Sequence, residues 1–545
     1  MKKTWIIISI IAVIIIGSFL YLKLRKSKDF EPLIITKLQQ LVKDASNGLY
    51  VLNIDKIEVD VIGSTVKVHN AQLLIDSARL KVLIAQGNSP VDVYKISLSD
   101  LDIDGLNVDD LLNKKDMNID LINIKNPIVE IYHPVNKSDT IKKDTASLYS
   151  KIQKSLGHFK LKMLAVSNIN FIYHNISGKE KITDFKDVSM KFKDIEIDSL
   201  TQFDTTRFLY AKEALINFNG YTTRTADSLY FIKTDSLTIN AARKTLDVAG
   251  LYLTPRFSKQ DFGKQLKSYK DRYTIKFETA FFKNIDWYHL FLGEGFNASQ
   301  CQLNNGTMEI YADRNVPLSP KSKVGNYPHQ LLVNLDFPTN VDSILINNFK
   351  LTYTELNPKT QKTGSVVFDD INAVITNVTN IKENIAQNKI LKLTATSKLM
   401  SVANLSATFM FDLTKTKTGD FTVDADLGPM NGTALNKAAV PLGLFEINSL
   451  SIKRLKVHET GNSYNARSSV FFVYDDLKIT ALKPDNGKLK HRGFLSFVAN
   501  TFILNKSNKE GEAEPKYVSY KRDSQRSFFY LIWKSILKGI TNTAS

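Results

Sequence analysis

The sequence predicts a mainly β protein with a largely antiparallel sheet, an N-terminal transmembrane helix and a few short helices. Apolar and polar residues alternate over most of the chain from Leu49 to Leu504, and a period of two is typical of half-buried strands. Asp, Asn and Gly separate these alternating segments, as expected for turns. One uncharged apolar segment near the N-terminus is long enough to cross a bilayer.

That apolar segment is Trp5–Leu22, which contains 18 residues without a charge. As a helix it would extend roughly 27 Å, close to the thickness of a bilayer core. It is longer than the core of a cleaved signal peptide and is not followed by a small-residue cleavage site, so we expect an uncleaved signal anchor. Its predicted membrane-contacting residues are Trp5, Ile6, Ile10, Val13, Ile16, Phe19 and Leu22.

The charges that flank the segment leave its orientation open. Two lysines precede it, and four basic residues follow it between Lys23 and Lys28. The positive-inside rule would place the C-terminal side in the cytoplasm, but long domains can be translocated despite such charges.

Composition restricts the classes of partner. The formal net charge is +17, which favours anionic partners such as a membrane surface. The basic residues are scattered and match no nucleic-acid-binding module, so we expect no nucleic acid partner. Cys301 is the only cysteine, which excludes an intramolecular disulfide and a cysteine-based zinc site.

The first elements after the anchor are a short helix and a series of strands. Phe30–Ser46 has apolar residues at helical spacing, and Asn47-Gly48 ends this helix. Strands are predicted near Val51–Val61, Val66–Val68, Val93–Leu98, Ile119–Ile124 and Ile128–Tyr132, with a turn at Asn126-Pro127.

The central region is predicted to be mostly strands with few interruptions. Asp144–His158 is expected to be a helix, and the polar segment Lys259–Arg272 and the apolar-aromatic segment Trp287–Leu292 are the other candidates. Asn315–Asn326 and Asn505–Lys521 are predicted loops.

A similar pair of segments recurs three times. A strand ending near Tyr173, Tyr353 or His458 is followed by a polar hairpin and a second strand that is predicted to open on an Asp-apolar pair. These pairs are Asp187-Val188, Asp370-Ile371 and Asp476-Leu477. The irregular spacing excludes a strict solenoid and favours a sheet extended by similar hairpins.

Local signatures of catalysis or metal binding are missing from the sequence. Asp100-Leu-Asp102-Ile-Asp104-Gly105 matches the start of a calcium-binding EF-hand loop, but Leu111 stands where a bidentate Glu is required. No two of the eight histidines lie at metal-ligand spacing, and nucleophile-elbow, Walker and dinucleotide motifs are absent. We therefore predict no enzymatic activity, no catalytic residue, no metal and no cofactor.

The C-terminal segment Ser527–Ile540 has helical spacing with aromatic and aliphatic residues on one face. Leu531 falls on the polar side of this pattern. Residues 481–545 carry 12 basic and 5 acidic side chains, which suits an anionic membrane interface. A helix that covers one end of the sheet is the alternative. Its candidate contact residues are Phe529, Ile532, Trp533 and Ile536.

Both ends of the chain resemble AsmA-like proteins of the Gram-negative envelope. At the C-terminal end the resemblance depends on Asp426-Leu-Gly-Pro429, Ile447-Asn-Ser-Leu450 and Tyr474-Asp-Asp-Leu-Lys-Ile479. At the N-terminal end it depends on the anchor, the short helix and Ile119–Tyr132. The resemblance implies an inner-membrane anchor and a periplasmic body with an elongated, curved sheet. The family's larger members look like bridge-type lipid transporters, in which the sheet forms an apolar groove.

The resemblance leads to an expected function and an alternative. We expect an inner-membrane, single-pass protein that handles phospholipid or another acyl lipid in the periplasm, in outer-membrane biogenesis or envelope homeostasis. The alternative is a non-catalytic scaffold that binds other envelope proteins. An alternating pattern predicts a closed core as readily as a groove, so no groove-lining residue is assigned. The predicted regions are 1–28 (anchor), 29–160 (N-terminal AsmA-like region), 161–420 (central sheet), 421–504 (C-terminal AsmA-like region) and 505–545 (loop and amphipathic helix).

Overall fold

The structure, a computed structural model, describes residues 30–60, 62–90, 92–106, 116–133, 149, 158–175, 181–266, 268–485, 488–491 and 505–545. The predicted anchor and most of the predicted helix Asp144–His158 lie outside these residues. Among the described residues, no helix is both long enough and apolar enough to cross a membrane.

The described residues form a mainly β fold, as predicted, and most strand pairs are antiparallel. The strands are β1 (Tyr50–Asp60), β2 (Thr65–Ile75), β3 (Val93–Asp104), β4 (Asp116–Lys125), β5 (Ile128–His133), β6 (His158–Asn175), β7 (Lys181–Ile197), β8 (Ala211–Arg224), β9 (Tyr230–Asn240), β10 (Thr245–Pro255), β11 (Arg272–Lys283), β12 (Phe296–Asp313), β13 (Thr339–Leu356), β14 (Thr363–Thr379), β15 (Ile390–Leu399), β16 (Ala403–Asp412), β17 (Phe421–Leu427), β18 (Met430–Asn431), β19 (Phe445–Gly461), β20 (Asn465–Asp485), β21 (Lys488–His491) and β22 (Lys516–Lys521).

The helices are short except at the two ends of the described chain. They are α1 (Phe30–Ala45), α2 (Ser77–Ala85), α3 (Lys259–Lys264), α4 (Trp287–Leu292), α5 (Pro328–Val333), α6 (Lys382–Gln387), α7 (Asn436–Ala438) and α8 (Phe528–Ala544). Two 3₁₀ turns, Thr201–Phe203 and Gly432–Leu435, and a π turn, Ala439–Gly443, complete the set. The predicted helices at the start and end of the described chain and at Trp287–Leu292 are confirmed.

The chain divides into two compact units. The first consists of the described residues of Met1–Arg224, Lys233–Val248 and Asp286–Gly293, and the second contains Thr225–Ile232, Ala249–Ile285 and Glu294–Ser545. Strands β9 and β10 contribute residues to both units.

In the first unit, strands β1–β8 bury one set of alternate side chains. Helix α1 packs against β1 and buries Leu38 and Val42. Strands β4 and β5 both pair with β3 in antiparallel and with β6 in parallel orientation. The chain therefore runs in the same direction in β4 and β5 on either side of Asn126-Pro127, whereas an ordinary hairpin turn would reverse it.

In the second unit, strands β11–β17 pair in sequence, mostly as antiparallel neighbours, and β17, β18 and β20 all pair with β19. The pair β12–β13 is parallel, and the segment that connects these strands contains α5. Strand β20 continues the order by pairing with β22. The predicted loop Asn505–Lys521 thus ends in a strand, because Val518 is buried opposite Ser468 while its neighbours face outward.

The three recurring segment pairs are confirmed as antiparallel hairpins, β6–β7, β13–β14 and β19–β20. The expected position of the Asp residues is wrong. Asp187, Asp370 and Asp476 lie inside the second strand of each hairpin and have φ values of 51°, 52° and 53°. Asp adopts this left-handed conformation more readily than most residues, so the recurring Asp marks an irregularity within the strand.

Candidate functional site

The register of β11–β16 places three rows of apolar side chains on one side of the sheet in the second unit. Each row joins directly paired residues on successive strands. The first row is Phe282, Cys301, Ile344, Ile375, Leu393 and Phe409. The second is Ala280, Leu303, Ile346, Ala373, Ala395 and Ala407, and the third is Ile275, Met308, Leu351, Phe368 and Leu399. We call these three rows the apolar face.

Most of the apolar face is only partly covered. Ile344, Leu393 and Phe409 are half-buried, whereas Cys301 and Ala373 are buried. In the first unit the corresponding alternate residues of β2, β3 and β4 are buried almost completely. Apolar side chains in partial contact with solvent along several adjacent strands make this surface the candidate site, because large exposed apolar patches are typical of binding surfaces.

The opposite side of the same strands is more polar, although Val374 on β14 is 42% exposed there. Lys276, Lys350, Lys392 and Lys398 are exposed there, and threonines occupy many of the remaining positions. Lys350 and Lys398 pair with Asp369 and Asp370 at 2.8 Å. The two sides of these strands therefore differ in composition, with the three apolar rows on one side and exposed lysines on the other.

A line of left-handed Asn and Asp residues crosses β12–β14 and interrupts the ladder. Asn305, Asn348 and Asp370 have φ values of 51–52°, and the register shifts beside Asn348 and Asp370. The Asn348 Nδ2 group donates to Asn305 Oδ1 at 2.9 Å, and the Asn348 backbone N–H donates to Asn372 Oδ1 at 3.1 Å. Such bulges bend strands and increase their twist, so these strands are not flat.

Aromatic rings fill the apolar side of this line at Gly306. Phe277 and Phe349 flank the glycine on the neighbouring strands, and their rings stack with centroids 5.2 Å apart. A Cβ atom on Gly306 would lie only 2.4 Å from the Phe277 ring. Glycine is therefore required here because the two rings occupy the space above it.

Helix α8 covers the continuation of the apolar face on β20 and β22. Phe528, Leu531 and Ile532 are buried against a cluster that contains Phe411 and Phe421. The placement of Leu531 on the polar side is wrong, because its side chain is 0% exposed. The buried stripe has the i, i+3, i+4, i+7 spacing of a core-facing helix side and consists of Phe528, Leu531, Ile532 and Ser535. This stripe is rotated about the helix axis from the side that the aromatic residues had indicated.

The four predicted contact residues of α8 divide into two groups. Ile532 is buried and Ile536 packs against the core, so both hold the helix on the sheet. Phe529 and Trp533 remain 61% and 53% exposed. The Phe529 ring lies 6.4 Å from the ring of Phe409 on the apolar face. The exposed aromatic side of α8 thus borders the partly covered strands.

Glu459 is a functional candidate that the sequence analysis missed. It lies on β19 directly opposite Val423 and Ser468, on the side covered by α8, and is 0% exposed. The Ser468 hydroxyl donates to Glu459 Oε2 at 2.7 Å, while Oε1 has no hydrogen-bond partner among the residues that the structure describes. Burial raises the pKa of Glu459 to about 7, although hydrogen bonds from Ser468 and Ser535 act in the opposite direction. The alternation of side chains along β19 puts Glu459 on the same covered side as Val457 and Gly461, so this pattern could have indicated its position.

His329 is a second buried ionisable group in this unit. It lies on α5, stacks on Phe411 with ring centroids 4.9 Å apart, and neither ring nitrogen has a hydrogen-bond partner. Desolvation lowers the pKa of His329 to about 4, so the imidazole is neutral at pH 7. Its surroundings are those of a core residue and provide no partner for proton transfer.

One group of side chains in the first unit could in principle hold a metal ion. His158 Nε2 lies 3.1 Å from Glu196 Oε1 and 4.0 Å from Asp198 Oδ2. The sequence spacing did not reveal this group because His158 and Glu196 meet only through the pairing of β6 with β7. The Arg207 guanidinium donates to Glu196 Oε2 at 2.9 Å, and Asp198 caps a turn. An arginine beside the carboxylate favours an ion-pair network over a cation site.

The EF-hand-like segment is part of a strand. Asp100, Asp102 and Asp104 alternate along β3 with the buried Leu101 and Ile103, as the strand interpretation predicted. Leu111 and Val108 lie outside the described residues.

The predicted site residues of the anchor, Trp5 to Leu22, lie outside the described residues. The structure places Phe529 beside the apolar face, leaves Trp533 exposed, and packs Ile532 and Ile536 between α8 and the sheet. Comparison with models of known protein families and with curated protein sequences finds no match for this chain.

Proposed function

We propose that this protein handles acyl lipids by holding their chains against the apolar face of β11–β16. In this proposal the chain is an AsmA-like protein, anchored in the inner membrane by Trp5–Leu22, with its bulk in the periplasm. The elongated, curved sheet predicted from the sequence forms the groove. Phospholipid is the expected ligand class, and the inner membrane is its expected source or destination.

The observation that carries this proposal is the incomplete covering of three adjacent apolar rows. Each methylene group that moves from water to an apolar surface contributes about 0.8 kcal/mol. An acyl chain laid across Ile344, Leu393 and Phe409 would gain this contribution at many positions along its length. A protein core without a ligand would be expected to cover these side chains completely, as strands β2–β4 of the first unit do.

Helix α8 provides a second supporting feature. Phe529 and Trp533 offer exposed aromatic surface on α8, and the Phe529 ring lies close to Phe409 of the apolar face. Aromatic side chains of this kind suit a position where an acyl chain leaves a bilayer, because their rings tolerate both apolar and interfacial surroundings.

Site-specific photocrosslinking in growing cells tests the proposal on the full chain. A benzophenone amino acid is introduced at Leu393, which belongs to the apolar face, or at its neighbour Thr394, which points to the polar side of the same strand. We expect lipid adducts, detected by mass spectrometry, at position 393 and not at position 394. The matched pair controls for expression, folding and general exposure to membranes.

Two outcomes would contradict lipid handling. Equal lipid adducts at positions 393 and 394 would mean nonspecific membrane contact. Protein adducts at position 393 without lipid would support the alternative, a non-catalytic scaffold that binds other envelope proteins.

A further inference from the structure

The row of side chains that begins on β11 does not stop where the open strands end. From Phe409 on β16 it continues through Val423 on β17 to Glu459 on β19 and Ser468 on β20. Helix α8 lies over this continuation, with Ser535 facing Ser468. The covered and open parts therefore belong to one surface, and α8 decides how much of it is accessible.

A chain of polar groups links the helix to the sheet within an otherwise apolar contact. The Ser468 hydroxyl lies within hydrogen-bond distance of both Glu459 Oε2 and the Ser535 hydroxyl. All three side chains are buried. Two hydroxyl groups thus connect α8 to a buried carboxyl group. Two apolar side chains at this position would pack without any buried polar atom.

The surroundings of Glu459 do not compensate a negative charge. Its neighbour on β17 is Val423, and no cation among the described residues pairs with it. Tyr327, in the segment before α5, is itself an acid, and burial and then the negative charge of Glu459 raise its pKa. Arg522 stacks on the Tyr327 ring but donates to backbone carbonyl groups, including those of Ser463 and Lys323.

We propose that α8 is a pH-dependent latch, which stays docked on β20 and β22 while Glu459 is protonated and is released when Glu459 ionises. The ionised carboxylate has one oxygen without a partner and loses its hydration as long as the helix covers it. Undocking α8 restores water to the carboxylate. Release would extend the open apolar surface from β16 to β17, β19 and β20.

The direction and size of the effect follow from linkage. Burial raises the pKa of Glu459 to about 7 from its ordinary value of 4.5. Docking is therefore favoured fully below pH 4.5 and weakens as the pH rises through 7. If the carboxyl group has its ordinary pKa when α8 is undocked, the equilibrium for undocking increases roughly thirtyfold between pH 5.5 and pH 8.5.

Hydrogen–deuterium exchange of the full chain measures this equilibrium. Protection of the α8 amides, corrected for the intrinsic pH dependence of exchange, should fall about thirtyfold in the wild type from pH 5.5 to 8.5. Glu459→Gln keeps the shape of the side chain without a charge and should show nearly constant protection. Asp424→Asn, which removes an exposed carboxylate on β17, should behave as the wild type.

The latch would be disproved by protection of α8 that does not change with pH in the wild type. The same change in Glu459→Gln would also disprove it, because another group would then be responsible. An equal loss of protection in β17 and β20 would indicate general unfolding and not the release of one helix. None of these measurements involves lipid, so the latch and the proposed lipid function can fail separately.

Discussion

His329 and Glu459 should make the stability of the second unit depend on pH in opposite directions. The pKa of His329 is lowered to about 4, so its contribution is complete above pH 6.5 and is lost as the pH falls through 4. The pKa of Glu459 is raised to about 7, so its contribution is complete below pH 4.5 and is lost as the pH rises through 7. Between pH 4 and 7 the two effects offset each other.

Replacing His329 should uncover the effect of Glu459 on stability. In His329→Phe, the free energy of unfolding should decrease as the pH rises from 4 to 7, by about 3 kcal/mol, because the titration of Glu459 is then no longer offset by that of His329. Urea denaturation at several pH values measures this slope. His458→Gln, which alters an exposed histidine on β19, is the control and should keep the shallow wild-type profile. A shallow profile in His329→Phe would contradict the prediction.

Gly539 on α8 should tolerate no side chain, although alanine normally favours a helix. A Cβ atom at this position would lie 2.4 Å from Val470 Cγ2 on β20. Gly539→Ala should therefore lower the free energy of unfolding by about 1–3 kcal/mol, because the steric conflict exceeds the gain of about 1 kcal/mol in helix propensity.

The control for Gly539→Ala is Asn542→Ala on the exposed side of the same helix. It should be neutral or slightly stabilising when both variants are compared by thermal denaturation. Stabilisation by Gly539→Ala would mean that α8 does not approach β20 this closely.

Helix α8 has one side that docks on the sheet and another that is exposed. Leu531→Ala removes a fully buried side chain and should cost about 2–5 kcal/mol of stability. Trp533→Ser removes a half-exposed side chain and should change the melting temperature little. Differential scanning calorimetry of the two variants separates these roles.

Trp533→Ser should instead reduce lipid crosslinking at position 393, if the exposed aromatic side guides acyl chains to the apolar face. A large loss of stability in Trp533→Ser would assign this tryptophan to the core and contradict the division of α8 into two sides.

At the scale of the whole molecule, the predicted anchor determines where the two units work. We expect the full chain to remain with membranes during alkaline carbonate washing, because Trp5–Leu22 is apolar and uncharged over 18 residues. A reporter that is active only in the periplasm, fused at Ser545, should be active.

The anchor prediction has a matched variant. Introducing Asp at Ile10 and Val13 should release the protein from the membrane fraction, because charged residues at the centre of a span are costly. Release of the wild type by carbonate, or an N-terminus beyond Leu22, would contradict the anchor. Reporter activity only in the cytoplasm would support the orientation given by the flanking charges.

Period-two patterning predicted the strands well because each strand has one polar side, as in Lys392, Thr394 and Thr396 on β15. Helix α1 was predictable because an apolar stripe and a terminal Asn-Gly coincide there. Local patterns report which residues alternate but do not report the pairing of distant strands. The apolar face, whose rows join residues from Phe282 to Phe409, could therefore be recognised only from the structure.

The remaining errors arise where one residue changes the phase of a pattern. Left-handed residues such as Asn348 and Asp370 shift the alternation within a strand, so the two halves have different parity. The sequence pattern misplaces Leu531 because the aromatic residues beside it on α8 do not define the buried side of the helix. Glu459 was missed because a charged residue at a covered position breaks the usual rule.

Cys301, the only cysteine of the chain, gives the apolar face a built-in chemical reporter. Its thiol belongs to the first row and is buried, and desolvation raises its pKa to about 12. Since the thiolate is the nucleophile, alkylation at neutral pH must be slow while the strands around it stay closed. The rate at which a maleimide modifies the unmutated protein would therefore measure how often β11–β13 open, and a ligand that occupies the first row should slow that reaction further.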